Sequence, residues 1–189
     1  MPTTIEVNKQ SVEALLGSGR EKPFVIPEYQ RPYAWTDEQV ETLFEDLWEF
    51  TTTSGGTEHK GSYFLGSVVA YENEDGEQEI IDGQQRITSL FLLLRAIYTK
   101  LVITPAERTA EANNFIGKIE PAIWRTNKLT GTVDYKNILL TSRVVNNEGN
   151  EILHSILETG KADENAKDNY SKNYRHFQEM FDKHSTENP

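Results

Sequence analysis

The chain contains no cysteine among its 189 residues. Without thiolates it can form neither disulfide bonds nor zinc fingers, and it has no thiol nucleophile. A composition without cysteine fits a reducing compartment, so a cytoplasmic location is expected.

Positive charge is scarce as well, with 19 lysines and arginines against 30 acidic residues and a net charge of −11. Affinity for duplex DNA comes largely from neutralising phosphates, so this balance argues against a broad DNA-binding face. A modestly basic stretch runs from Lys118 to Arg143, and such a stretch is usually a solvated surface. Direct DNA contact therefore stays open, without support from the composition.

Long apolar segments are also missing. The run from Ile87 to Ile103 comes closest to a membrane span, but Arg95 and Lys100 interrupt it. Met1 does not lead into a basic and then apolar signal segment. No association with a membrane is expected.

Several common catalytic motifs are absent. The chain has no glycine-rich phosphate loop with its lysine and no dinucleotide-binding fingerprint. None of its four scattered histidines stands in a strand–loop–helix setting that would bring two ligands to one metal. These histidines are His59, His154, His176 and His184. A nuclease active site is not expected in this chain.

What the chain does contain is a polar turn between two apolar runs. Gln78 to Ile81 is typical of a strand, and Ile87 to Val102 is typical of a buried helix. Residues 82–86 between them read Asp-Gly-Gln-Gln-Arg. The start of a helix presents unpaired N–H groups and the positive end of the helix dipole, which together favour an anion. The junction therefore predicts a phosphate site.

Each residue type in this turn has a use in phosphate chemistry. Arg86 can hold a phosphate with two hydrogen bonds, and Asp82 can bind magnesium. Gln84 or Gln85 can orient an attacking water molecule. An ordinary strand-to-helix turn explains the same residues, with Gly83 supplying unusual dihedrals and Asp82 a helix cap. Both interpretations stay open at this point.

A second polar segment lies within Ile26 to Trp35, which reads Ile-Pro-Glu-Tyr-Gln-Arg-Pro-Tyr-Ala-Trp. Its two prolines favour an extended backbone. Aromatic rings beside an arginine form either a stacking surface or the edge of a core. We expect Tyr33 and Trp35 to belong to the core, and Gln30 and Arg31 to belong to the site.

The spacing of apolar residues predicts an α+β fold with a small mixed sheet, packed helices and a helical C-terminal extension. Thr36 and Gln39 form a capping-box pattern before an amphipathic helix. The predicted organisation is a nucleotide-binding core at 1–103 and a mostly helical extension of the same domain at 104–189.

The two segments, Ile26–Trp35 and Asp82–Arg86, with Phe64–Ser67 between them, resemble the N-terminal domain of GmrSD-type, modification-dependent (type IV) restriction enzymes. The resemblance continues more weakly through Leu139–Arg143 and Asn173–Phe177. It implies a fold similar to ParB and sulfiredoxin, the DGQQR motif, and nucleoside triphosphate hydrolysis that controls DNA cleavage. It also implies a separate nuclease module of the His-Asn-His type, in cis or trans, through which the protein reaches DNA. The chain is accordingly expected to be part of a longer protein.

The site hypothesis combines both lines of reasoning. The residues predicted to bind nucleotide are Tyr29, Gln30, Arg31, Gly83, Arg86 and Arg143. The residues predicted to act in hydrolysis are Asp82, Gln84 and Gln85, with Asp82 also holding Mg²⁺. The alternative function is a DNA- or protein-interaction module of a restriction system that hydrolyses nothing.

Overall fold

The structure, a computed structural model, describes residues 7–52, 63–103, 109–127, 129–145 and 148–187. These residues form six helices and six strands. In chain order they are α1 (Val12–Ser18), β1 (Phe24–Ile26), α2 (Asp37–Thr52), β2 (Val69–Glu72), β3 (Gln78–Asp82), α3 (Gln84–Ile103), α4 (Ala110–Ile123), β4 (Trp124–Thr126), β5 (Val133–Ile138), β6 (Leu140–Ser142), α5 (Gly149–Thr159) and α6 (Asn169–Glu187).

The main sheet has four strands in the order β2-β3-β1-β6. The central strand β1 runs parallel to both neighbours, with Phe24 opposite Gln78 of β3 and Leu140 of β6. β2 and β3 form an antiparallel hairpin, and β4 pairs with β5 in a separate two-stranded sheet. The α+β class with a small mixed sheet is therefore confirmed. The likeness to ParB and sulfiredoxin stays a prediction.

Helix α3 is the centre of the core, as its apolar composition predicts. Its side chains Ile87, Phe91 and Leu92 are fully buried, as are Phe24 of β1 and Ile80 of β3. The rings of Phe24 and Phe91 meet edge to face at 6.4 Å. Each such side chain contributes about 1.5–3 kcal/mol by leaving water, so this contact between sheet and helix is a major source of stability.

Helix α3 begins three residues earlier than the apolar run indicates, at Gln84. Only Gly83 separates it from β3, and its φ of +90° is a conformation that side chains disfavour. A Cβ at this position would also lie 3.0 Å from the carbonyl oxygen of Ser67. Gly83 therefore lets the strand turn directly into the helix, and the polar motif becomes the first helical turn.

One half of the predicted capping box before α2 is present, because Oγ1 of Thr36 donates to Oε1 of Gln39 at 3.0 Å and accepts no hydrogen bond from the backbone of the described residues. The backbone N–H of Thr36 donates to Oε1 of Gln39 at 2.8 Å. Val40, Leu43 and Phe44 are the buried face of this helix. The periodicity of the sequence was sufficient here because one face of α2 is apolar and the other is acidic.

Residues 109–187 contain more strand than the mostly helical prediction indicates. β6 lies beside β1 in the main sheet, so both predicted parts of the chain contribute to one sheet. β5 is mostly exposed and polar, and its pairing with β4 follows a turn at Gly131. Within the described ranges, no helix has the length and apolarity needed to cross a membrane.

A buried arginine joins α3 to α5. Nε of Arg95 donates to the carbonyl oxygen of Leu157 at 3.0 Å, and Nη1 donates to Oγ1 of Thr99 at 2.6 Å. The guanidinium also lies 5.3 Å from the ring centroids of Tyr98 and Trp124. Burial lowers the pKa of Arg95 from its usual value. The carbonyl group of Leu157 near the end of α5 and two ring faces compensate for this burial, because both attract a cation.

Gly160 packs against the guanidinium of Arg95, and a substitution at Gly160 tests this contact. Its φ is +70°, and a Cβ there would overlap the Arg95 guanidinium. Gly131 has the same φ of +70° but open space around it. We expect Gly131→Ala to cost about 1 kcal/mol of unfolding free energy through backbone strain, and Gly160→Ala about 2 kcal/mol more through overpacking. Urea unfolding of both variants measures the difference, and equal losses would contradict the close packing of Arg95 against Gly160.

Candidate functional site

Three parallel strands end at the same edge of the main sheet. Their last residues are Ile26, Asp82 and Ser142, with Ile26 opposite Ser142 in the register. Because α3 starts one residue after β3, its N-terminus lies at this edge too. Ligands of sheets with parallel strands bind outside the carboxyl ends of the strands, so this edge is the expected location of a site.

A cleft of about 510 Å³ opens at this edge. Its walls come from both polar motifs, namely Gln30, Arg31 and Trp35 from the first and all of residues 82–86 from the second. Ser67 and Ile81 complete the lining. The volume is in the range of small-molecule and cofactor sites. The structure thus brings together two motifs that lie about fifty residues apart in the chain.

Gln85 holds the two motifs against each other. Its Oε1 accepts hydrogen bonds from the backbone N–H groups of Ala34 at 2.7 Å and Trp35 at 3.2 Å. Its Nε2 donates to the carbonyl oxygen of Pro32 at 3.1 Å. The residue is buried, and its whole amide is engaged by backbone. In this arrangement Gln85 positions the segment 32–35, and its role in orienting water stays a prediction.

Gln84 is engaged at one end only. Its Nε2 donates to the carbonyl oxygen of Arg31 at 3.1 Å. Its Oε1 has no hydrogen-bond partner among the described residues, although the side chain is 6% exposed. A buried amide oxygen without a donor is uncommon in folded proteins. Gln84 therefore offers an acceptor at the boundary of the cleft.

Arg86 lies across the backbone of residues 66–67. Its Nη1 donates to the carbonyl oxygen of Ser67 at 2.9 Å. A Cβ on Gly66, whose φ is +100°, would lie 2.5 Å from Cζ of Arg86, so only glycine leaves room for the guanidinium. The side chain is half-buried and lines the cleft beside the first turn of its own helix.

Gln30 and Arg31 form the opposite wall. Nε2 of Gln30 donates to the carbonyl oxygen of Ile81 at 2.8 Å, which ties the first motif to the end of β3. The exposed guanidinium of Arg31 makes no hydrogen bond or ion pair with any described residue. Arg31 and Arg86 therefore place two positive charges on one cleft, and Arg31 can change its direction without breaking a hydrogen bond or ion pair to a described residue.

The N-terminus of α3 has no side-chain cap within the described part of the chain. The first backbone hydrogen bond of the helix runs from the N–H of Ile87 to the carbonyl oxygen of Gly83. Gly83 has no side chain, and the carboxylate of Asp82 makes no hydrogen bond to the first-turn N–H groups. Three N–H groups at residues 84–86 are thus available to an anion.

Asp82 is the carboxylate of the cleft, and it is exposed. The described residues contain no group of three or more histidines, aspartates or glutamates that would hold a metal by itself. Mg²⁺ commonly binds through one or two carboxylates together with phosphate oxygens. A single carboxylate beside a phosphate site fits that manner of binding, whereas a metal site built from protein alone would need more ligands.

The first motif is anchored to the body of the protein by Tyr33. Its hydroxyl is 2.7 Å from Oγ of Ser89 and accepts a hydrogen bond from Nδ2 of Asn173 at 3.0 Å. The same Nδ2 donates to the carbonyl oxygen of Trp35 at 2.8 Å. Burial raises the pKa of Tyr33 to about 12, so its hydroxyl stays protonated. The prediction that Tyr33 belongs to the core is confirmed, while Trp35 is half-buried and also lines the cleft.

Two predicted nucleotide-binding residues do not line the cleft. Tyr29 is 65% exposed and donates to Oε1 of Glu79 at 2.9 Å, and this bond raises the pKa of the tyrosine. Arg143 forms a two-pronged ion pair with Glu77, with N–O distances of 2.9 and 2.8 Å. The structure places neither residue with the other site residues. Their role in nucleotide binding stays a prediction.

Two residues of the site region were not singled out by sequence reasoning. Asn173 holds the first motif from α6, and Ser142 ends β6 beside the start of α3. Both fall within the weaker parts of the resemblance, at Asn173–Phe177 and Leu139–Arg143. Neither has a local pattern that reveals its function, because each meets the site only through tertiary packing.

The engagement of Gln85 predicts a combined effect on stability and on the cleft. In Gln85→Ala the partly buried N–H groups of Ala34 and Trp35 lose their acceptor and the carbonyl oxygen of Pro32 loses its donor, and we expect a loss of about 2 kcal/mol. Gln30→Ala is the matched control, since it removes one hydrogen bond near the surface and should cost less than about 1 kcal/mol. Thermal unfolding measures both, and equal stability of the two variants would disprove the role of Gln85 in holding the two motifs together.

A family model described as the GmrSD restriction endonuclease N-terminal domain matches residues 12–188. No curated protein matches the sequence at a significant level. The matched range covers nearly all of the chain and includes both motifs that line the cleft. The chain therefore belongs to the family of GmrSD restriction endonuclease N-terminal domains and is a domain of a restriction system.

Proposed function

We propose that this domain binds and hydrolyses nucleoside triphosphates, and that the nucleotide controls DNA cleavage by a restriction protein that recognises modified DNA. One observation carries this proposal. Both polar motifs converge on the uncapped N-terminus of α3, in a cleft with two arginines and one carboxylate. Its charge pattern suits a magnesium-bound polyphosphate better than it suits an apolar or cationic ligand.

The phosphates would occupy the mouth of α3. The three free N–H groups and the helix dipole attract an anion, and Arg86 is already held beside them by Ser67. Arg31 faces the same space from the opposite wall. A hydrogen bond between arginine and phosphate contributes about 1.5–3 kcal/mol, so two arginines together supply about 3–6 of the roughly 8 kcal/mol that micromolar binding requires.

Hydrolysis would proceed by attack of water on the terminal phosphorus. A bond forms from the water oxygen to this phosphorus while the bond to the bridging oxygen breaks, giving a nucleoside diphosphate and inorganic phosphate. Gln84 would orient the water through its unpartnered Oε1. Its amide does not accept a proton from the water, and this proton leaves with the phosphate product. Asp82 would hold Mg²⁺, which neutralises charge on the phosphates. Arg31 and Arg86 would stabilise the charge that develops in the transition state.

The consequence for DNA belongs to the larger system. In this proposal a nuclease domain of the His-Asn-His type, in cis or in trans, carries out the cleavage. The nucleotide-binding domain of this chain signals its nucleotide state to that nuclease domain. The net charge of −11 disfavours a broad DNA-binding face on this domain, so DNA is reached indirectly. A cytoplasmic location, where both triphosphates and incoming DNA are present, is part of the proposal.

Binding is tested by calorimetry with each nucleoside triphosphate and Mg²⁺. We expect micromolar affinity for the unmodified domain and at least a tenfold loss in Arg86→Ala, because a charged hydrogen bond to phosphate is removed. Arg143→Ala is the matched control, since its guanidinium is paired with Glu77 outside the cleft. An equal loss of affinity in both variants would mean that Arg143 also binds the nucleotide, and the cleft would then not be the whole site.

Turnover is measured as release of inorganic phosphate, with Arg86→Ala as the background. Phosphate release that survives unchanged in Arg86→Ala would reject this cleft as the site of hydrolysis. Failure of every triphosphate to bind would favour the alternative, a module that contacts DNA or protein without using nucleotide.

A further inference from the structure

A narrow crevice continues from the cleft, between the first turn of α3 and the end of β6. Arg31, Gln84 and Gln85 line both spaces, and the crevice also reaches Thr88, Ser142 and Tyr170. As it stands, the crevice is too narrow to hold a water molecule. It is thus a closed continuation of the proposed nucleotide site.

Two residues that line this crevice each have a buried polar atom without a partner. Oε1 of Gln84 and Oγ of Ser142 are both shielded from solvent, and neither has a hydrogen-bond partner among the described residues. The bond from Nε2 of Gln84 to the carbonyl oxygen of Arg31 fixes the orientation of the amide. Oε1 is therefore an acceptor that lacks a donor. Buried polar atoms without partners are unfavourable, and two of them at one crevice call for a functional explanation.

We propose that Gln84 Oε1 and Ser142 Oγ form a subsite for one O–H group of the bound nucleotide complex. This inference rests on the proposed function and adds Ser142 to its residues. An amide oxygen only accepts hydrogen bonds, and a serine hydroxyl both donates and accepts. An O–H group complements this pair, because it donates to Gln84 and exchanges a second hydrogen bond with Ser142. The group is a ribose hydroxyl or the water that attacks the terminal phosphate.

Two residues of the subsite lie in regular elements of the fold, whereas Arg31 beside them has no polar partner among the described residues. Ser142 is held in β6, which pairs with β1, and Gln84 is held in the first turn of α3. Arg31 lies between cleft and crevice, and no described residue binds its guanidinium. In this proposal the guanidinium turns toward phosphate in the cleft, and its side chain, which lines the crevice too, would move with it. Phosphate binding and access to the subsite would then be coupled through Arg31.

The experiment compares the unmodified domain with Ser142→Ala and with Thr141→Ala, an exposed neighbour on the same strand that does not line the crevice. The probes are a ribonucleoside triphosphate, its 2′-deoxy and 3′-deoxy forms, and inorganic tripolyphosphate, each with Mg²⁺. Calorimetry gives affinity, phosphate release gives kcat and KM, and thermal unfolding gives stability. The deoxy forms test the subsite on the unmodified protein as well, independently of any variant.

A ribose hydroxyl in the subsite predicts that one deoxy form binds the unmodified domain about fivefold more weakly, and that Ser142→Ala abolishes this preference. A water in the subsite predicts equal affinities but a kcat at least tenfold lower in Ser142→Ala at unchanged KM. In both cases tripolyphosphate binds Ser142→Ala as it binds the unmodified domain. Stability should not fall, because the hydroxyl that is removed has no partner.

The inference is overturned if Ser142→Ala resembles Thr141→Ala in every affinity and in kcat while tripolyphosphate still binds. It is also overturned if Ser142→Ala unfolds at a clearly lower temperature with unchanged nucleotide discrimination, since the hydroxyl would then be structural. The proposed function fails in a distinguishable way, when neither tripolyphosphate nor any triphosphate binds the unmodified domain.

Discussion

The site depends on the amide of Gln85. Its three hydrogen bonds to the backbone of Pro32, Ala34 and Trp35 join an extended, proline-rich segment to the first turn of the central helix. These bonds are partly buried, and a polar group that loses its partner there is destabilising, so the extended segment has one favourable position. The wall formed by Gln30 and Arg31 then faces the wall formed by Asp82 and Arg86 across a single cleft. Asn173 and Tyr33 fix the same segment from the other side.

Charge and backbone geometry act on this arrangement together. Gly83 allows β3 to pass into α3 within one residue, so the free N–H groups of the helix lie at the carboxyl edge of three parallel strands. Gly66 allows the guanidinium of Arg86 to lie against the backbone beside them. In a chain of net charge −11, this edge has two arginines and one carboxylate. Membership of the GmrSD N-terminal domain family places that local site within a restriction system.

Much of the fold could be predicted wherever one element has one apolar face. The helix α2 follows from its capping box and its apolar stripe, and α3 follows from an apolar run too long for a strand. The strands of the second half were harder, because β5 is largely exposed and β6 spans three residues. Pairing between distant segments, rather than local preference, makes these strands. The two motifs that form the cleft were found from sequence, but Tyr29 and Arg143 point to carboxylates outside it.

The sequence by itself determined which chemistry is present. It specified a strand-to-helix junction with an arginine and two amides, a second segment with a glutamine and an arginine, and the family to which both belong. Only the tertiary structure decided how these groups divide their roles, since that depends on which hydrogen bonds each side chain already makes. Two adjacent glutamines differ for this reason. The amide of Gln85 is hydrogen-bonded to backbone, whereas Gln84 has an unpartnered oxygen in the crevice that Ser142 also lines. Sequence patterns cannot distinguish them, because the partners come from residues about fifty positions away.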